Sequence, residues 1–152
     1  MCIRDRAHDA RREFNWWFDP EAAQIVLRAP WKKLTITPID ISVKTRLSPG
    51  IQASIAKVDT PVTRYLGKYS LTGYMWDEIA GAALIDPSII TGQKQMYMDI
   101  DIDHGASYGK TLFWGSTATV PPYLRLATVQ FDIDAEKFYK LYICLLYTSR
   151  CV

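Results

Sequence analysis

The densest run of chemically capable side chains is Glu13-Phe14-Asn15-Trp16-Trp17-Phe18-Asp19-Pro20. A carboxylate and a carboxamide two residues apart face the same way in an extended segment, and together they supply acceptors and a donor suited to sugar hydroxyls. The aromatics beside them could line an apolar pocket. The plainer alternative is a capped helix preceded by core aromatics. A second group is Tyr74-Met75-Trp76-Asp77-Glu78. Asp77 could ligate a hard cation or a hydroxyl, and Trp76 offers a flat ring on which a base can stack. Against that, an aspartate at a helix start is ordinarily a cap, and a tryptophan is ordinarily core.

The remaining candidates read as ordinary structure. Asp99, Asp101 and Asp103 precede His104-Gly105 but lack the glycine and distal glutamate of an EF-hand loop. Their alternation with Met98, Ile100 and Ile102 fits the wet face of an edge strand. His8 and His104 have no second ligand at metal spacing. There is no phosphate loop, GxSxG elbow or HExxH helix. Arg11-Arg12 and Lys32-Lys33 are too short to form a nucleic-acid footprint.

The elements that must position these residues carry clear punctuation. Asp19-Pro20-Glu21 caps and opens a helix that Ala29-Pro30 stops. Leu34 to Ile39 alternates with β-branched residues and reads as a strand. Ser48-Pro49 and Thr60-Pro61 open short helices toward Val58 and Tyr69, and a further helix spans Asp77 to Leu84 before Asp86-Pro87. Met96 to Asp103, Lys110 to Trp114 and Tyr123 to Phe131 read as strands, after which Asp134 caps a last helix through Phe138 and Leu141. Interleaved strands and helices without repeats make the class α/β.

The 152 residues suit one domain, and 49% hydrophobic against 22% charged residues implies a real core rather than disorder. No apolar run reaches the roughly 18 residues of a membrane span. A net charge of +2 is too slight to call for phosphate or membrane partners. All three cysteines lie at the ends, at Cys2, Cys144 and Cys151. Met1 to Asp5 and Cys144 to Ser149 can be encoded by reverse-complementary DNA that resembles a transposon end used in library preparation. Residues 1–6 and 144–152 are therefore expected to be translated adapter, set aside before fold reasoning. Taking Arg4, Arg6 and Arg150 from the 18 basic residues and Asp5 from the 16 acidic ones leaves 15 of each. The remaining segment, 7–143, is neutral and free of cysteine.

Taken in order, Glu13-Phe14-Asn15 with Asp19-Pro20-Glu21-Ala22-Ala23, Thr37-Pro38-Ile39-Asp40, and Trp76-Asp77 with Ile85-Asp86-Pro87 resemble the inosine-uridine-preferring nucleoside hydrolases. The resemblance covers nearly all of 7–143. It implies an open, mostly parallel α/β sheet with flanking helices, truncated at its N-terminal half. It also implies a parent enzyme about twice as long, a nucleoside N-ribohydrolase that binds calcium and splits ribonucleosides into ribose and free base. Carried over by position, Glu13 and Asn15 would hold ribose hydroxyls, with Glu13 toward the 5′ end. Asp77 would ligate calcium and bind a ribose hydroxyl. Trp76 stands where many members have a histidine proposed to protonate the leaving base, and its ring leans the preference toward purines. The catalytic base and most calcium ligands are expected upstream of Ala7, so the 152 residues alone should be inactive. They should also be poorly soluble through an exposed sheet edge. The resemblance further implies dimers or tetramers of the parent, and no nucleic-acid or membrane partner. The competing readings are a non-catalytic nucleoside- or sugar-binding or structural domain, and a hydrolase of another ribosyl compound.

Overall fold

The computed structural model describes residues 13–69 and 72–147. His8, Arg11-Arg12 and most of the suspected adapter lie outside that range. In chain order the elements are α1 (Phe14–Phe18), α2 (Pro20–Arg28), β1 (Thr35–Ile36), α3 (Ile39–Ser42), α4 (Pro49–Ala56) and α5 (Pro61–Tyr69). They continue with α6 (Asp77–Ile85), a 3-10 turn (Pro87–Ile89), β2 (Ile90–Ile100), β3 (Thr111–Gly115), β4 (Leu126–Ile133) and α7 (Ala135–Tyr147). Two compact units result. The first takes the chain through Asp40 together with Gln93–Phe131, and the second takes Ile41–Gly92 with the chain from Asp132 onward.

The first unit holds the sheet, whose strand order is β1-β4-β2-β3. β1 pairs with β4 in parallel, Thr35 opposite Thr128, while β2 and β3 run antiparallel from Met96 opposite Gly115 to Ile100 opposite Thr111. The α/β class holds, with a mixed sheet. β1 is shorter than the alternation of Leu34 to Ile39 suggests. Pro38 has no N–H to give a ladder, and Ile39 already begins α3. α2 buries Leu27 against Met98, Ile100, Ala127 and Val129 of the sheet. Each fully buried aliphatic or methionine side chain of this kind contributes about 1.5–3 kcal/mol.

Two expectations for the aspartate run are corrected. β2 lies between β4 and β3 rather than at an edge, and Asp99 is only 5% exposed. Its carboxylate takes both ends of a fork from Arg28, Nη2 to Oδ2 at 2.6 Å and Nε to Oδ1 at 3.1 Å. A buried charge is tolerable when paired in this way. Asp101 and Asp103 are past the strand end. The Asp103 N–H donates to Asp101 Oδ1 at 3.0 Å, which turns the chain into the hairpin loop.

In the second unit α4, α5 and α7 start at their sequence signals. Ser48 Oγ accepts from the Ile51 N–H, and Thr60 and Thr63 cap each other reciprocally, each hydroxyl taking the other's backbone N–H. Asp134 Oδ1 accepts from the Lys137 N–H at 2.9 Å and opens α7. Ile79, Ala82 and Ala83 share one face of α6 and join Phe138 of α7, Ile41 and Met75 in a core where Phe138, Ile41 and Ile79 are fully buried.

Candidate functional site

Glu13 and Asn15 belong to the first unit, and Trp76 and Asp77 to the second. Glu13 is extended (φ −79°, ψ 134°), but Asn15 lies inside α1, so the two do not face alike as residues of a strand would. The cause is local. Glu13 Oε2 accepts the Trp16 N–H at 2.9 Å and its carbonyl accepts the Trp17 N–H at 2.8 Å, which starts a helix immediately. Asp19 then caps α2 in the same way, Oδ1 taking the Ala22 N–H at 3.0 Å.

Asn15 opens on a cavity of about 380 Å³, whose lining includes Trp16, Asp19, Val26, Leu34 and Thr35. The lining is mainly apolar, with Asn15, Asp19 and Thr35 as its polar members. Asn15 is exposed, and its carboxamide takes no partner among the described residues. Of the flanking aromatics, Trp16 packs on the core, whereas Phe14 and Phe18 are exposed.

The head of α6 departs from the capped-helix alternative. The N-cap position is Trp76, with no side-chain cap bond, and Asp77 is already the first helical residue. Glu78 takes the capping work, its Oε2 accepting the Trp76 N–H at 3.0 Å. Asp77 is exposed, and among the described residues its carboxylate has no hydrogen bond or ion pair. Trp76 is 57% exposed, so core packing does not account for it.

The backbone ahead of Trp76 is pinned. Met75 is buried, its N–H donates to the Thr45 carbonyl at 3.3 Å, and Thr45 Oγ1 donates back to the Met75 carbonyl at 3.4 Å. Arg46 and Tyr74 form an antiparallel bridge, and the Arg46 guanidinium lies 5.1 Å from the Tyr74 ring centroid. An exposed indole and an unspent carboxylate thus project from a fixed stem. Asp86, the other acid of this motif, is structural. Hydrogen bonds from Ser88, then the Lys137 ammonium 3.4 Å away, hold its carboxyl below the usual range.

Calcium takes about six to eight oxygen ligands. Asp77 offers at most two, and the described residues contain no group of three or more His, Cys, Asp or Glu placed to hold a metal ion. They do not by themselves form the calcium site that the resemblance implies. His104 stacks on Tyr108 at 4.8 Å.

Sequence reading missed Arg28, Tyr108 and Gly109 as partners of this region. Arg28 reads as a cation at a helix C-terminus, and no local signal pairs it with Asp99, 71 residues on. The one available cue was Gly109 itself, since a glycine in a hairpin loop often marks a left-handed residue.

Comparison with known proteins places these features in context. The family model for inosine-uridine preferring nucleoside hydrolase matches residues 7–140. The inosine-uridine preferring nucleoside hydrolase of Crithidia fasciculata is 28% identical over 142 residues, covering 85% of this chain and 44% of that protein. The Leishmania major protein of the same name is 26% identical over 112 residues, covering 66% and 35%. The chain thus spans less than half the length of these curated relatives. Among solved structures, a plant nucleoside hydrolase superposes with a TM-score of 0.78 at 21% identity, covering 92% of this chain and 49% of that one. The fold is therefore shared, and the family match supplies the rest: the chain belongs to the inosine-uridine preferring nucleoside hydrolase family.

Proposed function

We propose that this chain is the C-terminal portion of an enzyme that hydrolyses the N-glycosidic bond of ribonucleosides, with a lean toward purines. The observation that carries the reading is the family match across residues 7–140, the span within which Glu13, Asn15, Trp76 and Asp77 lie. Cleavage of such a bond builds positive charge on the sugar, as in other glycoside hydrolases. Oriented carboxylate and amide groups on the sugar hydroxyls favour that state over the neutral substrate. In this reading Asn15 and Glu13 bind ribose hydroxyls, and the carboxylate of Glu13 does so while still accepting the Trp16 N–H. Asp77 contributes its unspent carboxylate to a ribose hydroxyl, and as one calcium ligand in the parent. Trp76 stacks on the departing base. An indole N–H does not leave near neutral pH, so stacking or solvent, not Trp76, assists the leaving group.

The catalytic base and the remaining calcium ligands belong, in this proposal, to the part of the relatives that this chain does not span. The 152 residues alone are then inactive and bind calcium weakly. The lean toward purines is tested in the parent-length protein by comparing kcat/KM for inosine, adenosine and uridine before and after Trp76→His. Loss of the stacking ring lowers the purine-to-uridine ratio by about tenfold, the worth of one base-aromatic stack. An unchanged ratio removes Trp76 from base recognition.

A further inference from the structure

The hairpin loop between β2 and β3 is seated on the junction of α1 and α2. Gly109 has a left-handed backbone, φ +76°. A Cβ there would come within 3.0 Å of Trp17 Cδ1, 3.3 Å of Trp17 Cα and 3.4 Å of Pro20 Cγ. Both its conformation and the lack of room call for glycine. Beside it, the Tyr108 hydroxyl donates to the carboxylate of Glu21 in the first turn of α2, at 2.9 and 2.8 Å from its two oxygens. That carboxylate raises the phenol above its ordinary range. The loop is braced from within: the Gly109 N–H donates to the Asp101 carbonyl at 2.7 Å, and the Asp101 N–H donates to the Lys110 carbonyl at 2.9 Å.

A helix of five residues such as α1 does not hold its own shape in water. Its placement must come from packing, and Trp17 meets Gly109 in just this place. We infer that the β2–β3 hairpin, through Gly109 and Tyr108, is the positioning element that fixes α1 and thereby aims Glu13 and Asn15. Neither hairpin residue touches the sugar; both act through Trp17 and Glu21. The inference rests on the reading above that Glu13 and Asn15 hold ribose.

Two readouts test it with Tyr108→Phe and Gly109→Ala. In the full 152-residue chain, hydrogen exchange of the Trp16 and Trp17 amides, both bonded to Glu13, reports the hold on α1. Tyr108→Phe accelerates these amides about fivefold or more, the loss of one net hydrogen bond, and leaves α4 unchanged. Gly109→Ala has a larger effect, and Tyr108→Phe stands alone if that variant does not fold.

In the parent-length protein, Tyr108→Phe raises KM for a ribonucleoside at nearly constant kcat. The penalty shrinks for the 5′-deoxy analogue, which lacks the hydroxyl assigned to Glu13. A purely structural lesion would penalise both substrates alike. Unchanged exchange at Trp16 and Trp17, or equal penalties on the two substrates, overturns the inference. If the unmodified parent cleaves neither nucleoside, the functional reading fails, while the exchange result still decides whether the hairpin holds α1.

Discussion

Replacing Arg28 with Met strands the Asp99 carboxylate. The pair is bidentate, and the Asp99 side chain is 8% exposed against 34% for Arg28. Breaking a fully buried pair from one side costs about 3–5 kcal/mol, because the remaining charge is left without compensation. Here the open flank of Arg28 lets water reach the vacated site, which lowers the expected cost to about 2–3 kcal/mol. Part of it is the guanidinium stacked 4.3 Å from the Tyr123 centroid, a contact worth about 0.5–1 kcal/mol. The assay is urea unfolding followed by tryptophan fluorescence. Trp16, Trp17, Trp31 and Trp114 belong to the first unit, and only Trp76 to the second, so the signal reports mainly the unit that holds the pair.

With a slope of about 1–2 kcal/mol per molar urea, the midpoint falls by about 1–3 M. Asp99→Leu added to Arg28→Met recovers most of the loss, since two apolar groups leave no stranded charge. A single-variant cost below about 0.5 kcal/mol, or a double variant worse than either single, refutes the reasoning.

Three further outcomes follow from the packing and capping. Phe138→Ala empties a fully buried position in the second unit and lowers stability by about 3–5 kcal/mol in denaturant titration. Asp19→Ala removes the acceptor for the Ala22 N–H and costs about 1 kcal/mol, visible as faster amide exchange in the first turn of α2. Asp86 has a folded pKa below its unfolded value, owing to Ser88 and then Lys137. Its contribution is therefore present above the unfolded value and is lost as pH falls through the folded one. The urea midpoint of wild type should drop below the ordinary aspartate range, and Asp86→Asn should flatten that slope.

The local chemistry was legible because it spans three residues or so. Asp19-Pro20, Ser48-Pro49 and Asp134 each pair a side-chain acceptor with a nearby N–H, and each opens the expected helix. The same kind of signal misled at Asp77, where the glutamate one residue further on takes the capping N–H and leaves Asp77 unspent. At Glu13 the extended segment in which it would face as Asn15 does is not formed, because its carboxylate accepts the Trp16 N–H and starts a helix. What could not be read is what depends on strand order. Alternation alone does not say which face of β2 is covered, and Asp99 is buried against Arg28, 71 residues away, in a strand flanked by its hairpin partner β3 and by the later β4. The contact of Tyr108 with Glu21 spans 87 residues and leaves no periodic trace. Of the four candidate residues, their types and order came from the sequence, while the exposure of Trp76 and the unpartnered state of Asn15 and Asp77 among the described residues came only with the structure.

On the proposed function, Glu13, Asn15, Trp76 and Asp77 bind sugar and base, and the catalytic base lies in the part of the relatives that this chain does not span. The most direct measurement compares release of free base from inosine by the 152-residue chain and by the protein translated from the same reading frame extended upstream of Ala7. The account predicts calcium-dependent turnover by the longer protein and none above background by the shorter. Turnover by the 152-residue chain, or none by a longer protein that spans the full length of the relatives, would contradict it.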